Sequence, residues 1–431
     1  MTMLPHPLTR LTDATLADGR RVDVEITGDT VTGVHPAGTL GGAREGGARE
    51  SGTGTVPAAH LDLDGFLLLT APAEPHAHLD KALSWDLIQP PMGDLGLAID
   101  SWKRYAAEMT TEGIADRARR QALAMLQNGT TAIRCHVDVL QGDDPMRGVR
   151  ALARVRDELR DLVDIELVAL AGPTVPDQHV LDALDLGVDL VGGAPHLADD
   201  PDTDLRRLLA LADLRAVGVD MHTDESLDGA FTLLTLAEVV RDWPEGRPAT
   251  AGHCVRLGTL DPESRDSVIR EIVRSDVGIV TLPITNLYLQ GWGHPVSTPR
   301  GLTAVRELLD AGVRLGAGAD NVRDPFNPVG RSDALETASL LVTAGHLTLD
   351  EAYAAVSDGA RSVMRLPEAG VAVGAKAELL AVRGGNLSEV VADASADRFV
   401  VHAGRLVAQS SVTRQIAAPA VSPVDALTET R

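Results

Sequence analysis

Two histidines, His76 and His78, follow an apolar run in the segment EPHAHLDK. Residues two apart in a β-strand point to the same face, so the two imidazoles can converge on one point. Imidazole nitrogens serve proteins as metal ligands and as general bases. Because such pairs also occur as ordinary polar residues at strand ends, their function depends on what the rest of the chain supplies.

Further imidazoles and carboxylates stand at the ends of other apolar runs. They are His136, Asp138, His196, His222, Asp224, Glu225, His253 and Asp320, the last followed by Asn321. A buried structural network would account for one or two such residues, but not for a ring of them. If they gather at one place, a nitrogen-rich set with one carboxylate suits Zn²⁺ or Fe²⁺ better than Mg²⁺ or Ca²⁺.

The elements that would position these residues alternate along the chain. The candidate strands are FLLLTAPAEPHAH, TTAIRCHVDV, DIELVAL, VDLVGGAPH, VGVDMHTDE, PATAGHC, GIVTLPITN and GVRLGAGAD, each followed by a charged amphipathic helix. This alternation predicts an α/β fold, a (β/α)8 TIM barrel, in which functional groups lie at the carboxyl ends of the strands. A doubly wound open sheet is the alternative, but no G-x-G-x-x-G signature favours it.

Short β-like stretches at both chain ends predict a small β-sandwich domain. We expect residues 1–70 to form its N-terminal part, 71–375 to form the metal-dependent barrel, and 376–431 to form its C-terminal part and a tail. The Gly-rich, charged segment 41–54 predicts a mobile loop.

Composition narrows the range of partners and locations. The 431 residues carry a net charge of −23, which argues against nucleic acid or an anionic membrane surface as a partner. Two cysteines are too few for a disulfide framework, and the first residues contain no apolar core of a signal peptide. No run reaches the roughly 18 apolar residues of a membrane span. We therefore expect a cytoplasmic protein.

The motifs of the chain resemble those of the amidohydrolase superfamily. They are EPHAHLDK, RCHVDV, LVGGAPH, MHTDES, AGHC, ITNLYLQG and ADNVRDPFNPVG. More narrowly, the stretch from about residue 65 to 375 is similar to bacterial cytosine deaminase and N-isopropylammelide aminohydrolase. The resemblance implies a hydrolase of non-peptide carbon–nitrogen bonds that deaminates an aminated N-heterocycle by attack of metal-bound hydroxide, and members of the family often form homo-oligomers.

Two alternatives remain open for the function. One is hydrolysis of a cyclic amide or imide, or of a substituted amine on a triazine-like ring. The other is a non-catalytic paralogue, which the complete set of ligand residues disfavours.

The resemblance also implies roles for individual residues. One divalent ion, Zn or Fe, would be bound by His76, His78, His222 and Asp320. Glu225 would carry the proton, His253 would orient water and substrate, and Asp320 would also accept a proton. The fourth strand, VDLVGGAPH, has no lysine of the kind that bridges two metals, so we expect one ion.

Substrate contacts are implied for Lys81, Asn321, Gln290, His196 and the position of Gly172. Lys81 and Asn321 resemble the isopropylammelide enzyme, whereas ITNLYLQG and Glu225 resemble cytosine deaminase. Cytosine deaminases place a glutamine where this chain has Gly172, although Gln290 or His196 offers a substitute contact. We therefore expect cytosine to be a poor substrate, and an oxo- or carboxylate-bearing heterocycle, a cyclic amidine or an imide to be a better one.

Overall fold

The computed structural model describes residues 5–40 and 60–417. The segment 41–54, predicted as a mobile loop, and the end of the predicted tail lie outside the described residues. No helix within the two described ranges is long and apolar enough to span a bilayer.

The strands fall into two sheets, a barrel and a sheet built by both chain ends, and the chain leaves the latter, builds the barrel and then returns. The first six strands are β1 (His6–Pro7), β2 (Arg10–Thr15), β3 (Arg21–Thr27), β4 (Thr30–Pro36), β5 (His60–Asp62) and β6 (Phe66–Thr70). The next eight are β7 (Ala73–Ala77), β8 (Ala132–Asp138), β9 (Asp164–Ala171), β10 (Leu190–Gly193), β11 (Val219–Thr223), β12 (Ala249–His253), β13 (Gly278–Thr281) and β14 (Leu315–Ala317). The last three are β15 (Leu379–Arg383), β16 (Arg398–His402) and β17 (Arg405–Ser410).

Strands β7–β14 pair in sequence order, and each neighbouring pair is parallel. A parallel bridge between Ala77 and Asp320 joins the first strand to the end of the last and closes the ring. The predicted (β/α)8 barrel is therefore confirmed. Its strand carboxyl ends all lie at one mouth, where loops carry the polar residues.

Strands from both chain ends form the second sheet, in the order β1-β17-β16-β15-β6-β2-β3-β4, with β5 paired to β2. It has its own apolar core, separate from that of the barrel, in which Leu11, Val24, Leu68 and Leu379 are buried. The prediction of a separate β unit built by both chain ends is confirmed, while the exact domain boundaries stay a prediction.

The run FLLLTAPAEPHAH forms two strands, so its prediction as one strand was wrong. Its first half, β6, pairs antiparallel with β15, and its second half, β7, pairs parallel with β8. The break falls at Ala71 and Pro72, and proline has no N–H for a ladder hydrogen bond. A continuous apolar run shows burial, but it does not show that the chain changes sheets.

Helices cover the outside of the barrel, and the last of them connects β15 to β16 in the second sheet. They are α1 (Trp85–Ile88), α2 (Leu95–Ala106), α3 (Thr111–Gln127), α4 (Arg147–Leu159), α5 (Asp177–Asp185), α6 (Pro201–Leu214), α7 (Leu233–Val240), α8 (Pro262–Ser275), α9 (Pro283–Leu289), α10 (Val305–Asp310), α11 (Ala334–Thr343), α12 (Leu349–Val356), α13 (Asp358–Val363) and α14 (Leu387–Asp393).

Helix α8 illustrates how local sequence sets these boundaries. The Asp261 side chain accepts a hydrogen bond from the backbone amide of Ser264, and Pro262 occupies the first helical position, where its missing N–H costs nothing. Val268, Ile269 and Ile272 lie on one face and are buried. Asp276 ends the helix in the left-handed conformation.

Candidate metal centre and active site

Four of the predicted ligands meet at the barrel mouth. His76 lies in β7, His78 follows it, His222 lies in β11, and Asp320 follows β14. All four are buried. Asp320 has a φ of 61°, a left-handed conformation that costs a non-glycine residue about 1 kcal/mol or more and is found disproportionately at functional sites.

The ligand atoms are spaced as a single metal ion requires. The Nε2 atom of His222 lies 3.2 Å from that of His76 and 3.1 Å from that of His78. An Asp320 oxygen, Oδ1, lies 3.2 Å from Nε2 of His78 and 3.8 Å from Nε2 of His76. Ligands at about 2.0–2.1 Å from a tetrahedral zinc ion would be about 3.4 Å apart, so these positions fit one ion.

The electrostatics of the cluster also favour a cation. Burial lowers the pKa of His76, His78 and His222 well below the usual value, so each imidazole is neutral and has a free lone pair. Both carboxylate oxygens of Asp320 lack a hydrogen-bond partner among the described residues. Buried acceptors left in this state are costly, and a bound divalent ion would satisfy them.

Glu225 and His253 lie beside this cluster. An oxygen of Glu225 is 3.6 Å from Nδ1 of His253, and the other is 3.7 Å from Nε2 of His196. Burial raises the pKa of Glu225 to about 8, so its carboxyl group can hold a proton at neutral pH. The site therefore places a potential proton donor next to a potential metal ion.

Asn286 fixes the orientation of His253 through Nδ1, the same ring nitrogen that Glu225 approaches. Asn286 donates a hydrogen bond from Nδ2 to Nδ1 of His253 over 3.3 Å. The Nε2 atom then carries the proton and lies 3.9 Å from Oδ2 of Asp320. Like Asp320, His253 has a left-handed φ, here 65°.

Comparison with known proteins identifies the family. The model of the Amidohydrolase family matches residues 96–408. The chain belongs to the amidohydrolase family. The family predicted from the motifs is thus confirmed, as is an enzyme of the amidohydrolase class.

This amidohydrolase is similar in sequence to two curated relatives and in structure to one solved protein. A pterin deaminase of Rhizobium rhizogenes is 31% identical over 372 residues, which are 83% of this chain and 84% of the relative. An N-isopropylammelide isopropyl amidohydrolase of Pseudomonas sp. is 26% identical over 375 residues, 82% of this chain and 88% of the relative. The structure of a 5-methylcytosine deaminase from Klebsiella pneumoniae, liganded with 5-fluorocytosine, has a TM-score of 0.82 at 25% identity and covers 95% of this chain and 99% of that chain.

Lys81 of this amidohydrolase lies beside the metal cluster but is already paired. Its Nζ donates to Asp138 over 2.6 Å and lies 3.3 Å from Nδ1 of His78. Burial opposes its charge, but Asp138 and Asp80 outweigh burial and raise the pKa of Lys81. Trp102 donates to the second oxygen of Asp138. The lysine is thus charged and balanced by neighbours, and its role as a substrate contact stays a prediction.

The other predicted substrate residues occupy different parts of the mouth. Asn321 donates from Nδ2 to Asp324, and Gln290 donates from Nε2 to the backbone carbonyl of Glu225. His196 contacts the backbone carbonyl of His222 through Nδ1. Gly172 directly follows β9, and a Cβ atom there would meet no atom within 4 Å. Their contacts with a substrate stay predictions.

A cavity of about 420 Å³ lies at the mouth. Its wall includes Leu197, Ser226, Gln290 and the exposed Trp292. Leu197 and Ser226 are the residues that follow His196 and Glu225 in the chain, so this cavity lies next to the buried cluster.

Several buried polar residues around the cluster had no role assigned from sequence. His136 lies with its ring centroid 4.0 Å from that of His76, and its Nε2 is 3.4 Å from Asp220. Asp220 in turn accepts a hydrogen bond from the fully buried Arg134 over 2.8 Å. The signal for this group was the alternation Arg134, His136, Asp138 in β8, which places all three on one face.

Proposed function

We propose that this enzyme binds one divalent ion, Zn or Fe, through His76, His78, His222 and Asp320, and deaminates an aminated N-heterocycle. The observation that carries the proposal is the buried carboxyl of Glu225 beside this ligand set. The spacing of the ligand atoms and the unsatisfied oxygens of Asp320 support the metal. The relatives named for pterin and 5-methylcytosine deamination support the chemistry.

The residues divide the reaction into binding and proton transfer. A bound divalent cation, as a Lewis acid, makes hydroxide available at neutral pH. Asp320 accepts a proton from the attacking water. His253, oriented by Asn286, donates a hydrogen bond from Nε2 to the oxygen or ring nitrogen of the substrate that becomes negative. Glu225 delivers a proton to the departing amine, which cannot leave as an anion. General acid catalysis of this kind contributes about 10²–10⁴ in rate.

The outer part of the substrate would occupy the cavity beside Gln290 and Trp292. Its volume of about 420 Å³ lies in the range of small-molecule sites, and we infer that it takes the second ring of a fused bicyclic heterocycle. The similarity to a pterin deaminase agrees with this assignment. We further infer a cytoplasmic enzyme, without nucleic-acid or membrane partners, that forms a homo-oligomer.

A second candidate function is hydrolysis of a substituted amine on a triazine-like ring, or of a cyclic amide or imide. The similarity to the isopropylammelide enzyme and the position of Lys81 near His78 favour it. The two candidates differ in product: free ammonia in the first, an alkylamine or an opened ring in the second.

The test combines metal analysis with a substrate panel. Purified protein should carry about one Zn or Fe per chain and release ammonia from aminated pteridines or pyrimidines. His78→Ala should lose both metal and activity, whereas His346→Ala, a change at an exposed histidine outside the cluster, should keep both. Two tightly held ions per chain, or full activity without metal, would contradict the proposal.

A further inference from the structure

The first and last barrel strands are joined more weakly than the others. Each of the seven neighbouring pairs from β7 to β14 is aligned through three to seven residue pairs. In the described structure, β7 is joined to the last strand only by the bridge between Ala77 and Asp320, which lies just beyond the end of β14. This seam carries two proposed ligands on opposite sides, His76 in β7 and Asp320 after β14. What holds the seam therefore sets the distance between them.

The carboxyl group of Glu74 fills this seam. Glu74 lies in β7, and its Oε2 and Oε1 accept from the backbone amide of Ala319 over 2.9 and 3.2 Å. Its Oε1 also accepts from the backbone amide of His76 over 3.3 Å. One side chain thus bonds the backbone of one ligand and the residue that precedes another.

Gly318 leaves the space that the carboxylate needs. A Cβ atom at this position would lie 2.1 Å from Oε1 of Glu74, closer than any real contact. The glycine before Ala319 is therefore matched to the glutamate across the seam. Two residues 244 positions apart in the chain are fitted to each other at the point where the barrel closes.

We propose that Glu74 is a positioning residue, which replaces missing strand pairing and holds His76 and Asp320 at the spacing that a metal ion requires. The inference rests on the proposed metal site. Glu74 would not touch the ion or the substrate. Groups of this kind, which orient ligands from behind, typically contribute about 10–100-fold to metal affinity.

Glu74→Gln is the sharpest substitution because it keeps the shape. Glutamine offers one acceptor oxygen and one NH₂ donor, whereas Ala319 approaches both carboxylate oxygens. One backbone N–H would then face an NH₂ group, and the seam would open. Gly318→Ala tests the same fit from the other strand with Glu74 intact, in case the first variant does not fold.

Glu378→Gln is a matched control. Glu378 is as buried as Glu74, at 7% against 6% exposure, and it accepts from the backbone amide of Ala403 and from His402. Its contacts lie at the joint between the barrel and the second sheet, away from the metal ligands. It reports the general cost of removing a buried carboxylate.

The experiment measures release of Zn²⁺ from the holoenzyme to a chromogenic chelator. Glu74→Gln and Gly318→Ala should release Zn²⁺ about 10–100-fold faster than wild type, and Glu378→Gln within about twofold of it. The absorption bands of the Co²⁺-substituted protein should shift in the first two variants alone.

Three results would overturn the inference. They are a Glu74→Gln protein that releases Zn²⁺ like wild type, unchanged Co²⁺ bands, or an equal loss in Glu378→Gln. Wild-type protein that binds no Zn²⁺ or Co²⁺ would instead contradict the proposed metal site itself, so the two failures are distinguishable.

Discussion

At the scale of single residues, burial gives Glu225 its capacity to transfer protons at neutral pH. A surface carboxyl is ionised at neutral pH, but this one is 4% exposed, and desolvation raises its pKa to about 8. A carboxyl group whose pKa lies near the working pH can both donate and accept a proton during the reaction.

Glu225→Gln should therefore lower kcat by about 10²–10⁴ while metal content stays unchanged. Glutamine has nearly the same size but cannot transfer a proton. Steady-state kinetics with metal analysis of the same preparation make the measurement. A variant within a few fold of wild type would move the proton-transfer role to another residue, with His253 as the nearest candidate.

Gly172 carries the prediction on substrate choice. The position follows β9 at the barrel mouth, has open space around it, and offers no side-chain donor or acceptor. A site that hydrogen-bonds a ring edge discriminates by about 10⁴–10⁵ against a partner that leaves polar groups unpaired. We expect kcat/KM for cytosine to fall below that for the best bicyclic or oxo-bearing heterocycle by at least about tenfold.

Gly172→Gln is the matching gain-of-function variant. It restores an amide at this position and should raise kcat/KM for cytosine by about tenfold, the effect of about 1.4 kcal/mol in transition-state binding. A wild-type value for cytosine of about 10⁴ M⁻¹s⁻¹ or more would show that the interpretation of Gly172 is wrong.

The sequence predicted those members of the buried cluster whose signal is local. His76 and His78 are two apart in a strand, and Glu225 follows His222 by three. The pairing of Lys81 with Asp138 and of Glu74 with Ala319 joins residues far apart in the chain, and such partners depend on how strands are aligned. For that reason the sequence did not predict the ion pair between Lys81 and Asp138, while the substrate contact of Lys81 stays a prediction.

At the scale of elements, the loop after β11 determines where Glu225 lies. Asp224 precedes Glu225 and has a left-handed φ of 49°. Its Oδ1 accepts from the backbone amide and the hydroxyl of Thr232 over 2.7 and 2.9 Å, and its Oδ2 accepts from the amide of Leu233 over 3.0 Å. This carboxylate therefore ties the loop to the start of α7.

Asp224→Ala should lower the free energy of unfolding by about 1–3 kcal/mol, because three buried donors lose their acceptor. The loop would also move Glu225 away from its position, which should lower kcat while metal content stays unchanged. Asp224→Asn is the matched control: it keeps one acceptor and tolerates the left-handed backbone, so its losses should be smaller. Equal losses in the two variants would contradict this account of the loop.

The eight barrel strands were predictable because an apolar run followed by an amphipathic helical stretch recurs eight times along the chain. The division of the first run between two sheets was not. Both halves are apolar and buried, and only their pairing partners, β15 and β8, distinguish them. The hydrophobicity of a strand indicates that the strand is buried, but it does not indicate which strand pairs with it.

At the scale of the whole molecule, buried ion pairs join the barrel to the second sheet. Arg398 of β16 donates to both oxygens of Asp333 over 3.0 and 2.7 Å, and Asp333 caps α11. His402, also in β16, has its Nδ1 atom 2.9 Å from Glu378, which lies 3.6 Å from Arg361 of α13. Removing one member of a buried pair leaves the other uncompensated.

The pair of His402 and Glu378 predicts a pH-dependent joint. Burial disfavours the charge of His402, but Glu378 outweighs it and raises the pKa of His402 above 6.5. A raised pKa means that this histidine stabilises the fold fully below about pH 6.5 and loses that contribution as pH rises through its folded value. Burial opposes the charge of Glu378 as well, but His402 lowers its pKa below 4.5, so its contribution is present above that pH and is lost under acid.

The His402 contribution should appear in the difference between wild type and His402→Gln, measured by urea unfolding from pH 5 to pH 9. Wild type should be more stable at pH 5–6, and the difference should shrink as pH rises, because neutral histidine and glutamine are then nearly equivalent. His346→Gln, a change at an exposed histidine, should give a stability difference that does not depend on pH in this way. A difference that stays constant across the range would show that His402 supports the joint by packing rather than by charge.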